Sequence, residues 1–405
     1  MRYLILILDH DVLKGYDNKL FNIISNRKPK CLSHLTSVTI TLTSNSTEAA
    51  SSLNLVFKLI AKAPLATIKL EDAMWNTKSF VLLEPFQHSQ VLRELTVQRY
   101  PSGSRFWEIL LPSWQQLTMV EFGHAGDEIN NSNVLLTALS TLPRLRELRL
   151  TGIQKSNSQT VYFFPSLETR QVEFWAGPTN FIHNINAPYL SHIQFLIWEP
   201  SDEPTYYNLF ATIANRNHMS LVSLIIQMER DMDTSPEVPE ELRGEAFNEN
   251  TLSPLYVFSS LKCLHIHPGL SCHLLTNVFY ATLPSHWPEL REFHLGGELF
   301  FPTPHPVATL QGIVAFLDGA QHMQDLWVPH VRGETLPLTD KTYPALRDIG
   351  RLFGKSKTFK SYVGWTSICF PGICHVGIAY SIRRIERRQN LTWASKVSFR
   401  CSDPW

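Results

Sequence analysis

Apolar and polar positions along this chain alternate in short bursts that share one frame: Leu92-Arg-Glu-Leu95-Thr-Val97, Leu145-Arg-Glu-Leu148-Arg-Leu150, Leu261-Lys-Cys-Leu264-His-Ile266 and Leu290-Arg-Glu-Phe293-His-Leu295. Each burst sets an apolar residue, a gap of two, an apolar residue, a gap of one, and an apolar residue. The period-two ending predicts a short strand with one buried face, because successive side chains of a strand point to opposite sides. The frame also starts at Leu35, Leu65, Leu117, Leu190, Leu221 and Met323, with a degenerate copy from Leu167 and a last one from Leu346. Most starts lie roughly 22 to 33 residues apart, overlapping the range of leucine-rich repeats. The interval from Leu221 to Leu261 is longer and holds an insertion.

Between the bursts the period lengthens to that of a helix. Ala49–Ala63 carries Leu53, Val56, Phe57 and Ile60 on one face. Phe80–Phe86, Phe106–Leu111, Val134–Leu142, Tyr207–Ala214, Leu274–Leu283 and Val307–Leu317 show similar spacing. Strand, loop and helix in repeated order predict an α/β fold: an irregular leucine-rich-repeat solenoid, or horseshoe. Parallel strands would line its concave face and helices its outside. One such unit leaves an apolar face wet, so neighbours must stack to cover it.

The chain has 405 residues, of which 44% are hydrophobic, and a formal net charge of zero. That balance gives no global pull toward nucleic acid or membrane, but local charge is uneven. Residues 229–250 hold eight acidic side chains against Arg230 and Arg243, with Pro236 and Pro239 among them, and are expected to protrude as a solvated loop. Residues 351–405 are basic and carry Cys369, Cys374 and Cys401. The expected organisation is therefore an N-terminal cap or remnant at 1–30, the solenoid at 31–350 with its acidic insert, and a basic tail or cap at 351–405. Six sparse cysteines suit a reduced compartment, cytoplasmic or nuclear. Tyr3–Leu8 is short for a signal sequence, and no apolar run approaches the roughly 20 residues of a membrane helix.

Catalytic signatures are weak. There is no Gly-x-Ser-x-Gly elbow, and Gly296-Gly297 lacks the companions of a phosphate loop. The paired Glu240 and Glu241 fall in the expected loop, a poor place for a preorganised acid and base. Ser381–Gln389 has four arginines but no interleaved aromatics, so nucleic acid is not an expected partner. Cys263, His265 and His267 share one strand face, and His294 and Trp327 take the frame position of His265 in the next two repeats. Parallel strands lie about 4.8 Å apart, so these side chains should form a row. One reading is a metal site from His265, His267 and His294, and the alternative function it serves is a metal- or Cys-dependent enzyme with its site there or in the Cys-bearing tail. A metal needs further ligands that the pattern does not name. A further alternative is a truncated or degenerate product without a partner. The preferred reading is a polar-aromatic contact surface, with no metal, no cofactor and no enzyme activity. Its candidate partner-binding residues are Glu121, Arg149, Gln194, Gln227, His265, His267, His294 and Trp327.

Laid out as repeats, Leu32-Ser-His-Leu35-Thr-Ser-Val38-Thr-Ile40, Leu142-Pro-Arg-Leu145-Arg-Glu-Leu148-Arg-Leu150 and Trp287-Pro-Glu-Leu290-Arg-Glu-Phe293 resemble the leucine-rich part of the fungal F-box-like protein family. The resemblance covers roughly Pro29 to Gly350. It implies a substrate receptor of a cullin ubiquitin ligase, whose F-box would dock a Skp-type adaptor while the repeats choose a protein substrate. Residues 1–30 contain no Leu-Pro-x-Glu segment, so the adaptor-binding module is expected to be absent or truncated. Protein recognition by the repeats is the expectation that remains.

Overall fold

The structure is a computed structural model. It describes residues 2–8, 32–42, 57–71 except 59, 79–98, 106–123, 132–153, 160–174, 184–197, 202–228 except 218 and 219, 246–296 except 268 and 269, 307–328, 343, 345–346, 348–350, 375–379 and 396–400. The chain forms two compact units, Met1–Leu190 and Ser191–Trp405.

In the first unit the strands β1 (Tyr3–Leu8), β2 (Ser37–Leu42), β3 (Thr67–Glu71), β4 (Glu94–Val97), β5 (Met119–Phe122), β6 (Glu147–Ile153) and β8 (Thr169–Phe174) lie side by side in chain order. Every pair is parallel. A separate parallel pair joins β7 (Tyr162–Phe163) to β9 (Ile185–Asn186). Helix α1 (Phe106–Leu110), which continues as a 3-10 turn through Ser113, and α2 (Ser132–Ser140) stand between strands.

In the second unit the order is β10 (His192–Ile197), β11 (Ser223–Met228), β12 (Cys263–Ile266), β13 (Glu292–Leu295), β14 (Asp325–Trp327), β15 (Asp348–Gly350), β16 (His375–Ala379) and β17 (Lys396–Arg400). All pairs are parallel up to β16, and β17 runs antiparallel to it. Its helices are α3 (Glu203–Asn217), α4 (Glu249–Leu252), α5 (Asn277–His286) and α6 (Leu310–Gly319). Each unit is thus an α/β leucine-rich-repeat array. Among the described residues, no helix is long and apolar enough to cross a membrane.

The frame fixes the register. Leu95, Val120 and Leu148 are consecutive partners in the first unit, and Leu224, Leu264, Phe293 and Leu326 in the second, all fully buried. Full burial of such a side chain contributes on the order of 1.5–3 kcal/mol. The turn into each strand also recurs. The amide of the leading apolar residue donates to the carbonyl three residues back in Leu32–Leu35, Trp114–Leu117, Ala187–Leu190, Phe258–Leu261, Trp287–Leu290 and Ala320–Met323. Pro188 and Pro288 stand second in their turns, where a fixed φ favours the bend. The residue after that leading position offers one carbonyl to two amides of the next repeat. Arg93 O accepts from Thr118 N and Met119 N at 2.8 and 3.0 Å, and Lys262 O from Arg291 N and Glu292 N at 2.8 and 3.0 Å.

Tryptophans lock repeats from behind. Trp114 Nε1 donates to Phe86 O at 2.8 Å, and Trp287 Nε1 to Leu255 O at 3.0 Å, each with its side chain fully buried. On the helix side, a Cβ at Gly312 would stand 2.9 Å from Asn277 Cα, and one at Gly319 2.7 Å from Pro284 Cβ, so α5 and α6 approach closely only through glycine. Asn277 Oδ1 accepts from Thr309 N at 2.7 Å, fastening the start of α6 to α5.

Several expectations need correction. Phe80–Phe86 lies in a 3-10 helix, Ser79–Phe86, with Pro85 inside, rather than an α-helix. The degenerate copy from Leu167 does form β8, but places Arg170 opposite Leu148 at a core position. Its guanidinium is buried, which pushes its pKa down to about 9. The expectation that the whole of the acidic segment 229–250 protrudes does not hold at its end. That end docks: Phe247 is fully buried, edge-on to Tyr206 at 6.0 Å and to Phe210 at 6.2 Å, and Ala246 bridges to Ser271. Asn248 caps α4, where Thr251 Oγ1 donates to Glu203 Oε1 at 2.6 Å. Residues 229–245, which include Glu240 and Glu241, lie outside the described residues, as do 49–56 of the first expected helix and Ser381–Gln389.

Candidate functional site

Strands β12, β13 and β14 each bury alternate residues toward the helices and turn the others to the opposite face. Leu264 and Ile266 are fully buried, while Cys263 and His265 are half-buried on the other side. In-register pairing then sets His265 beside His294 and His294 beside Trp327. One residue position earlier on that face, two residues back in sequence, it sets Cys263 beside Glu292 and Glu292 beside Asp325. Two rows of functional side chains result.

The first row is a stack. The imidazoles of His265 and His294 lie parallel, 3.7 Å between centroids and 2° between planes. Trp327 continues it at 6.1 Å, tilted by 36°. His267 stands edge-on to His294 at 6.4 Å. The second row supplies acids: His265 Nε2 is 3.3 Å from Glu292 Oε2, and His294 Nε2 is 3.1 Å from Asp325 Oδ1. These distances suit contact, yet neither ring nitrogen meets its carboxylate at hydrogen-bond angles. The histidine side chains are 14% and 17% exposed, against 46% for Glu292 and 36% for Asp325, so the imidazoles are the desolvated partners.

Burial pushes the His265 pKa down to about 4, reinforced by His294 and only partly opposed by Glu292 and Asp325. At neutral pH its ring is an uncharged imidazole with a free lone pair on one nitrogen. Cys263 Sγ lies 3.5 Å from the same Glu292 Oε2. Burial raises its thiol to about 12; the Ser223 contact lowers it, and Glu292 and Asp325 raise it further.

The remaining candidates disperse. Gln194 shares the His265 row through its partner Ile225, whereas Gln227 pairs with Leu196 one step further along the strand. Glu121 and Arg149 belong to the first unit, where they are register partners in the row Thr39, Lys69, Thr96, Glu121, Arg149 and Gln171. Arg149 reaches Glu147 at 2.6 Å and Glu121 at 3.9 Å, so this pair is largely satisfied within its own sheet. The sequence-derived trio His265, His267 and His294 does not converge as a metal site. The convergent set among the described residues is Cys263, His265 and Glu292, with one potential ligand atom from each all within 4.8 Å of one another. Alternation already placed Cys263 on the His265 face. The signal overlooked was Glu292, which the same frame aligns with Cys263.

No protein-family profile and no curated protein matches the chain. Among solved structures, the chain is similar to one described as "Crystal structure of TLR13-ssRNA13 complex", with 16% identity and a TM-score of 0.44. The match covers 82% of this chain and 45% of that one, so the chain spans less than half of that protein's length. The leucine-rich-repeat architecture rests on the frame and strand register described above.

Proposed function

We propose that this protein is a non-enzymatic recognition module that binds another protein through the face of β12–β14 turned away from the helices. The observation that carries this reading is the in-register row of His265, His294 and Trp327, stacked and half-buried on strands whose other face is packed. Flat amphipathic rings offer contact area at little entropic cost, and such residues anchor interfaces more often than charged rims do. Cys263 would be a poor unaided nucleophile, because its thiol stays protonated far above neutral pH.

The test is affinity purification with the full chain and its Trp327→Ala variant, each followed by mass spectrometry. A partner held by the parent and lost by the variant, at unchanged thermal stability, supports the reading. Equal recovery, or unfolding of the variant, removes the row as a binding surface. The resemblance of the repeats to F-box-like proteins makes the specific form of this proposal a ubiquitin-ligase substrate receptor. Recovery of cullin-ligase subunits with the parent chain tests that form separately.

A further inference from the structure

We infer that Cys263, His265 and Glu292 form a binding site for a zinc-class transition-metal ion. One carboxylate oxygen, Glu292 Oε2, lies 3.3 Å from His265 Nε2 and 3.5 Å from Cys263 Sγ. A tetrahedral zinc ion with its usual bond lengths needs O···N and O···S edges of about 3.4 and 3.6 Å. Two edges of the polyhedron are thus already set. The third edge, between Cys263 Sγ and a ring nitrogen of His265, needs about 3.6 Å, and one such nitrogen lies within 4.8 Å of the sulfur. A side-chain rotation that brings the sulfur and that ring nitrogen at most about 1.2 Å closer closes it.

The donor set fits that ion class. Thiolate and imidazole together select zinc over magnesium or calcium, and the carboxylate adds a third charge-compatible ligand. His265 Nε2 is shielded from water and lacks a hydrogen-bond partner of proper geometry, as expected of a nitrogen whose lone pair is reserved for a metal. His294 fixes the ring plane of His265 by stacking at 3.7 Å, with Asp325 Oδ1 standing 3.1 Å from His294 Nε2. This is the kind of outer support that orients metal ligands. Cys263 is a free cysteine, and binding displaces its thiol proton to solvent as the sulfur–metal bond forms. Three protein ligands leave a fourth position for water, on the same sheet face as the proposed protein-binding row. The site stands independently of that reading, since metal binding is measured without any partner.

The experiment titrates Co2+ into the reduced, metal-free full chain and follows absorbance. One equivalent should produce the visible bands of tetrahedral cobalt together with a near-ultraviolet thiolate-to-cobalt band, and Zn2+ should bleach both. Cys263→Ser should abolish the thiolate band. Glu292→Gln, at an exposed position that leaves the core untouched, should raise the Co2+ dissociation constant at least about tenfold, since losing even an outer-shell partner costs that much. Absence of the thiolate band in the parent chain overturns the site. So does its persistence in Cys263→Ser, or unchanged affinity in Glu292→Gln.

Discussion

Leu145-Arg146-Glu147-Leu148 in the first unit and Leu290-Arg291-Glu292-Phe293 in the second are nearly the same string, yet their glutamates do different work. Glu147 is held by Arg149 on its own strand at 2.6 Å. Glu292 faces Cys263 and His265 on the neighbouring strand. A third copy, Glu94, accepts from Thr67 Oγ1 at 3.0 Å. The apolar positions of these copies are interchangeable because each meets the same surroundings, a strand on either side and a packed face beneath. The outward positions meet whatever the adjacent repeats present. Fold therefore resides in the shared frame, and chemistry in what stands beside it.

The strongest challenge to the shared-frame half of this comparison is a matched pair of core truncations. Trp114→Ala and Trp287→Ala should each lower unfolding free energy by about 3–5 kcal/mol, since each removes a fully buried indole and leaves a carbonyl unpaired. Chemical denaturation would show it. A loss below about 1 kcal/mol in only one of the two would mean that the units do not use the frame alike.

The outward faces should diverge by smaller amounts. A double-mutant cycle of His265→Ala with His294→Ala should give a coupling of about 0.5–1.5 kcal/mol, the range for ring pairs. A coupling near zero would reduce the stack to mere proximity. The smallest effect belongs to Arg149→Ala, at the corresponding outward position of the first unit. Its side chain is 43% exposed, so the expected loss is below about 1 kcal/mol and should shrink in high salt. A larger, salt-insensitive loss would show that the first unit's face is organised as tightly as the second's.

Much of the fold was legible because a period-two burst ending in three spaced apolar residues has few other uses. Even the degenerate copy at Leu167 formed its strand, although Arg170 sits where Leu belongs. Strand β1 was not legible. In Tyr3–Leu8 every residue is apolar or aromatic, so no alternation marks a buried face, although the structure buries Leu6 and exposes Tyr3 and Ile5. The docking of Phe247 was hidden by the acids around it, because one aromatic in a charged segment carries no period. The His265, His294 and Trp327 row could be read from the frame alone. Its relation to Glu292 could not, since glutamate after arginine recurs at Glu94, Glu147 and Glu292 and reads each time as ordinary solvent-facing polarity.

The single carbonyl that serves two amides of the following repeat bears on how the chain tolerates added length. After Leu221, Val222 O receives Lys262 N and Cys263 N at 2.8 and 3.2 Å, as Lys262 O does from the much nearer Arg291 and Glu292. Loop-closure entropy grows only with the logarithm of the span, so the longer interval costs roughly 0.3 kcal/mol more than its neighbour. One docking bond pattern thus closes short and long connections at nearly equal expense. Length added to that interval therefore costs little in closure so long as Phe247, Thr251 and Leu255 keep their packed places, with Leu224 opposite Leu264 holding the alignment.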